Sequence, residues 1–140
     1  LGVTLNGILI VVFIALAWRT AIKRKFADHR RFAVHAYITV NGVFSFRLYL
    51  MAWYLINQGP NGNSRLVDGP MDITLSFESY LLPMLIAELV FWGQRTKQQP
   101  VKWGVSTVAT AGLIYTIIGV GAAATMMWGP RLQAVAAALL

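Results

Sequence analysis

Four ionisable side chains, His35, Arg47, Glu78 and Glu88, fall inside long apolar runs of this sequence, and they are the residues whose types could do chemistry. An arginine in hydrocarbon costs at least about 2.5–3.5 kcal/mol on insertion scales, so a chain that keeps one there should face it towards a partner or a wet cavity. Carboxylates set beside an imidazole and a guanidinium in such a place can pass protons, hold an ion or grip a quinone headgroup. They can also do no chemistry, neutralising one another and fixing the register of helices.

Depth along the helices suggests the partners. At about 1.5 Å rise per residue, Arg47 lies some 14 Å below the outer end of its helix and Glu78 about 8 Å below the outer end of the next one. Arg47 and Glu78 are therefore expected to pair in the outer half. His35 sits one turn into its helix and Glu88 just over one turn from the end of its own, so a second tier joins Glu88 to His35 or Arg31. The two tiers would clamp the second and third spans together.

Imidazole is a common axial ligand of haem, which makes His29 and His35 candidate cofactor ligands. They are six residues apart, on different faces of a helix and at different depths, and the chain has no third histidine. One iron could not take both from the same helix. The sequence requires no cofactor; a haem b or pigment site would have to be shared with another subunit. No HExxH, Walker, GxSxG or EF-hand pattern is present.

The elements that must position these groups are transmembrane helices. The chain has 140 residues, 57% hydrophobic and 12% charged, with a mean hydropathy of +0.60. Globular domains carry about 25% charged residues, so a soluble fold is disfavoured. The sequence predicts an all-α, integral membrane four-helix bundle in a single domain, with spans at 1–18, 32–56, 73–93 and 103–127 and a short tail at 129–140. Asn57, Gly59, Pro60 and Gly62 end the second span, Pro83 should kink the third, and Gly129 and Pro130 follow the fourth. The sequence begins at Leu1 inside an apolar run, so a processed or incompletely represented N-terminus is expected. A signal peptide is disfavoured because Lys23, Arg24 and Lys25 follow that run.

The net charge of +7 sits in short clusters flanking apolar runs, which disfavours a nucleic-acid partner. Six of the bases lie between spans one and two and three between spans three and four, against Arg65 and Arg131 on the opposite side. By the positive-inside rule the basic loops are cytoplasmic and both termini are outside in an up-down-up-down bundle. Trp18, Trp92 and Trp103 then mark the inner boundary, and Trp53, Tyr54 and Trp128 the outer one. Arg19, Lys23, Arg24, Lys25 and Arg30 are the expected contacts to anionic lipid headgroups or a partner. Ala109, Gly112, Thr116, Gly119 and Ala123 recur at spacings of three and four and form a small-residue packing face, used within the chain or towards another subunit.

The run AWRTAIKRKFADHRRFAVHAYITVNGVFSFRLYL resembles the signature of an uncharacterised bacterial polytopic membrane family, the domain of unknown function two-three-zero-six. His29, Arg30, Arg31 and Phe32 correspond to its HRRW opening, with Phe in place of Trp. Tyr37 and the stretch from Arg47 to Leu50 correspond to the remainder, and the later LLPMLIAELVFW places Glu88 on an Ala-Glu motif. His35 stands where the family pattern has Arg, and the family's leading helices are absent, so the chain would be a shortened member or a fragment. The resemblance implies a polytopic membrane fold with no agreed activity; some branches are similar to haem-b membrane electron carriers. The expected function is a small non-catalytic accessory or structural subunit of a larger membrane complex, with a redox or proton-handling protein as the alternative.

Overall fold

The computed structural model describes residues 2–138; Leu1, Leu139 and Leu140, which the sequence places in the first helix and the tail, lie outside the described residues. Every regular element among the described residues is helical: α1 (Gly2–Ile22), α2 (Phe26–Val40), α3 (Gly42–Ile56), α4 (Pro70–Arg95), α5 (Gln99–Ala123), a π-helical turn (Ala124–Trp128) and α6 (Gly129–Ala138). Three stretches are long and apolar enough to cross a membrane, Gly2–Ile22, Pro70–Arg95 and Gln99–Ala138, while Gly42–Ile56 is apolar but shorter.

The basic segment expected as a loop is mostly helix. Only residues 23–25 leave it, closing α1 with Lys25 N–H bonded to the Thr20 carbonyl (3.0 Å) and Arg24 N–H to the Ala21 carbonyl (2.9 Å). That pairing needs a left-handed residue at Arg24 (φ 54°), a place that usually takes glycine.

The single helix expected over 32–56 is instead two, α2 and α3, interrupted at Asn41. The Asn41 side chain donates to the Tyr37 carbonyl one turn back (2.9 Å), competing with the backbone ladder. Next to the break, Gly42 lets α1 come close: a Cβ there would sit 2.9 Å from Asn6 Nδ2, and that amide donates to the Thr39 carbonyl (3.0 Å). Asn6 is thus the polar peg by which α1 locks onto the α2–α3 junction. An interhelical amide bond of this kind is worth about 0.6–2 kcal/mol in lipid.

The core lies between α3, α4 and α5, where Leu48, Tyr49, Leu75 and Ala123 form one buried cluster and the Tyr49 and Tyr115 rings stand 5.0 Å apart. α1 packs on α2 and α4, whereas α5 packs on α3 and α4. The small-residue stripe of α5 is turned inward. A Cβ on Gly119 would lie 2.6 Å from the Leu48 carbonyl oxygen, one on Gly112 would meet the Ile86 side chain, and Ala123 is buried. Gly119→Ala is expected to lower stability by about 2 kcal/mol, since the obstructing atom is backbone and the whole of α3 must shift. Gly121→Ala, where a Cβ meets nothing within 4 Å, is the control and should be neutral or slightly stabilising. Heat-induced loss of monodisperse protein in detergent measures both.

The fourth span, α5, is expected to stop before Gly129. It runs on to Ala138, because the π-helical turn absorbs the proline: Gly129 N–H reaches five residues back to the Ala124 carbonyl. Pro130 can supply no donor, and widening one turn re-pairs the backbone around it.

Candidate functional site: an ionic clamp between α2 and α4

Glu88, near the C-terminal end of α4, receives two elements of α2 at once. Arg31 grips the carboxylate side-on, Nε to Oε1 and Nη2 to Oε2, both at 2.6 Å. His35 Nε2 donates to Oε1 at 2.5 Å. Arg31 and His35 are one turn apart, so both side chains leave the same face of α2 and converge on one acid. A paired guanidinium–carboxylate fork is among the strongest hydrogen-bonded ion pairs, and here the imidazole takes up the remaining direction of Oε1.

The clamp is graded in burial. The His35 side chain is 5% exposed, against 42% for Arg31 and 35% for Glu88. His35 stacks at 5.1 Å from the Phe13 ring of α1, and its Nδ1 is buried with no hydrogen-bond partner. Because Nε2 faces a carboxylate, that nitrogen carries a proton. Neighbouring residues reinforce the same junction: Arg30 lies over the Phe91 ring at 5.9 Å, and His29 Nδ1 bonds the Ala17 carbonyl of α1 at 2.9 Å. The start of α2 is therefore fastened to the ends of both α1 and α4.

His29 and His35 are not brought together. One is engaged with α1 through Nδ1 and the other with α4 through Nε2. That donor set does not fit axial ligation of a haem within this chain.

The expected outer tier is corrected. Among the described residues Arg47 and Glu78 form no ion pair. Arg47 lines a cleft walled by α1, α3 and α4. The electrostatic neighbours of Glu78 are instead Tyr49 and Tyr115, on the α5 side. Residues 47 and 49 point in nearly opposite directions around one helix. Equal height in the bundle does not make two side chains neighbours: the direction each takes around its helix decides which groups meet.

Two polar positions carry more of the structure than their place in the sequence suggested. Asp72, 1% exposed, accepts hydrogen bonds from Asn63 Nδ2 (2.6 Å), Ser64 N–H (2.8 Å) and Gly69 N–H (3.1 Å), tying residues 63–69 to the start of α4. Gly69, Pro70 and Asp72 are a legible helix-start pattern, proline in the first turn with an acid at the third position. Asn6 was equally legible as the lone amide in an apolar run.

Arg19, Lys23, Arg24, Lys25 and Arg30 are all exposed, and so are Arg95, Lys97 and Lys102 of the other basic turn. The Arg30–Phe91 and Arg31–Glu88 contacts bring these two turns to the same end of the molecule. Comparison of the chain with protein-family profiles, curated sequences and solved structures finds no match. The resemblance noted at His29 to Phe32, Arg47 to Leu50 and Glu88 thus stands on those motif residues alone.

Proposed function

We propose that this chain is an integral membrane protein of four crossings, α1, α2 with α3, α4, and α5, in a bacterial inner membrane, and that it works as a small non-catalytic subunit of a larger membrane assembly. The termini face outward and the two basic turns face the cytoplasm. Support for that orientation comes from the gathering of exposed bases at one end and from Trp18, Trp92 and Trp103, all exposed near it.

The observation that carries the subunit reading is the stretch from Gln99 to Ala138. As a continuous 40-residue helix it is about 60 Å long, twice the hydrocarbon thickness of a bilayer. Its last part, α6, packs chiefly on the π-helical turn, and none of its described residues is buried. Leu132 and Val135 stand 70% and 59% exposed there. A helix carried past its own bundle has an apolar side for a neighbouring subunit to cover. The Arg31–His35–Glu88 cluster supports a structural role too, since each charge is consumed by another.

The chain has no cysteine, so single cysteines at Lys23, Lys97 and Asn61 can be labelled in intact cells. An impermeant maleimide is expected to modify only the Asn61→Cys protein; labelling of the Lys23 or Lys97 positions would reverse the orientation. Mild extraction followed by native mass spectrometry is expected to give a particle containing a second polypeptide, lost when residues 131–140 are removed. A lone chain in every condition contradicts the subunit reading. One feature favours the alternative, a proton- or electron-handling protein linked to a quinone or to a haem b shared with another subunit: the Nδ1 of His35 is buried with no hydrogen-bond partner. A reducible Soret band in the purified protein would decide for it.

A further inference from the structure

We propose that the cleft between α1 and α3 is a binding site for one zwitterionic, amine-bearing phospholipid, with the phosphate at Arg47 and the ammonium at Asp68. This rests on the reading that the helices cross a bilayer.

The cleft follows from how the helices meet. α1 and α3 touch where Asn6 enters against Gly42, and both pack on α4, with Tyr80 of α4 donating to the Gly2 carbonyl (3.3 Å). From the Asn6–Gly42 contact they diverge, opening a space of about 890 Å³ that reaches the connecting segment at Val67 and Asp68. Its walls are mostly apolar, with Val43, Phe46 and Leu50 on one side and Phe77 on the floor. A cleft of this size at the side of a bundle in a membrane fills with the nearest amphiphile, and it is large enough for a headgroup with the first part of its chains.

The charges select which amphiphile. Arg47 and Asp68 both line the cleft, both are exposed, and they do not pair with each other. Asp72 also lines it, but three N–H donors already occupy that carboxylate. Asp68 has only Oδ1 engaged, by the Ser64 hydroxyl, and Oδ2 is left to a ligand. A purely anionic headgroup would meet Arg47 well and Asp68 badly; a cationic one the reverse. A headgroup carrying both phosphate and ammonium offers each of the two side chains an opposite charge within the one cleft. Their order is also right, since Arg47 lies within α3 and Asp68 in the connection at its outer end, as the phosphate lies below the amine in a lipid whose tails point inward. The guanidinium is suited to phosphate oxygens, and the primary ammonium donates three N–H bonds to a carboxylate.

The test is native mass spectrometry of the full chain released from nanodiscs made of equal parts phosphatidylethanolamine and phosphatidylglycerol. One retained lipid per chain is expected, enriched in phosphatidylethanolamine by about fivefold over the bulk, a difference on the scale of one extra polar contact. Arg47→Gln should cut retention by about tenfold, with Arg47→Lys recovering much of it. Asp68→Asn should keep the occupancy and erase the headgroup preference. Asp68 is exposed in a connecting segment, so its substitution leaves the helices intact and keeps the test decisive if Arg47→Gln fails to fold. No retained lipid, equal retention of both lipids by the unaltered chain, or a preference that survives Asp68→Asn would overturn the proposal. Those results leave the maleimide test of membrane crossing untouched, so the two readings fail separately.

Discussion

Glu88→Gln is expected to lower the stability of the folded protein by about 3 kcal/mol, the low end of the range for removing one partner from a buried ion pair, because Arg31 and Glu88 are both partly exposed. The carboxamide keeps the size of the side chain but offers a single acceptor, so the fork to Arg31 is lost. The imidazole of His35, buried between α1, α2 and α4, then has neither nitrogen facing a full negative charge. In detergent the midpoint of heat-induced aggregation should fall by on the order of 10 °C. Substituting Arg31 by Gln removes an exposed guanidinium and should cost less, and in the double variant the losses should fall short of their sum by about 1–2 kcal/mol, as contacting residues do. Additive losses would mean that the three groups are neighbours without being coupled.

Asp72→Ala is expected to cost about 3 kcal/mol and to act at the opposite end of the bundle. It removes at one stroke the acceptor of three N–H donors and the acid of the first turn of α4, where a negative charge complements the helix dipole. The local consequence is more specific than the global one. Residues 57–69 lose their anchor to α4, so proteolysis in that segment should quicken well before α4 itself unfolds. Asp72→Asn keeps one acceptor oxygen and should lie between the two. An Asp72→Ala protein that resists protease as well as the unaltered chain would show that the connection is held elsewhere.

Particular residues show how far the fold and the candidate site could be read beforehand. The helical character and three of the spans are legible in apolar run length, which is insensitive to tertiary detail. Helix ends were harder, because hydropathy reports where lipid begins and not where backbone hydrogen bonding stops: α2 starts at Phe26, among bases that a hydropathy window assigns to a loop. The cluster at Glu88 was legible because Arg31 and His35 lie one turn apart on one face of α2, so a match in depth with Glu88 was enough to bring either of them to it. Arg47 and Glu78 do not meet because mid-helix pairing depends on the direction of each side chain around its helix, and apolar run length carries no information on that. The continuation through Pro130 was hidden for a related reason: a proline reads as a stop unless the neighbouring turn can widen, and that depends on the local backbone of Ala124–Trp128.

Glycines tell a similar story. The stripe on α5 was visible as a repeat of small residues, but the sequence offered no way of ranking its members. Gly119 abuts a carbonyl oxygen of Leu48, whereas Gly112 faces the flexible end of Ile86. Only the first leaves no room for adjustment.

The clamp between α2 and α4 is tested most directly by exchanging its charges. Arg31→Glu and Glu88→Arg, made singly, each place two like charges in contact and should leave little monodisperse protein after extraction. Combined in one chain they restore opposite charges across the same two helices, and most of the lost thermal stability should return. A combined variant no better than the worse single one, or single variants as stable as the unaltered chain, would contradict the clamp.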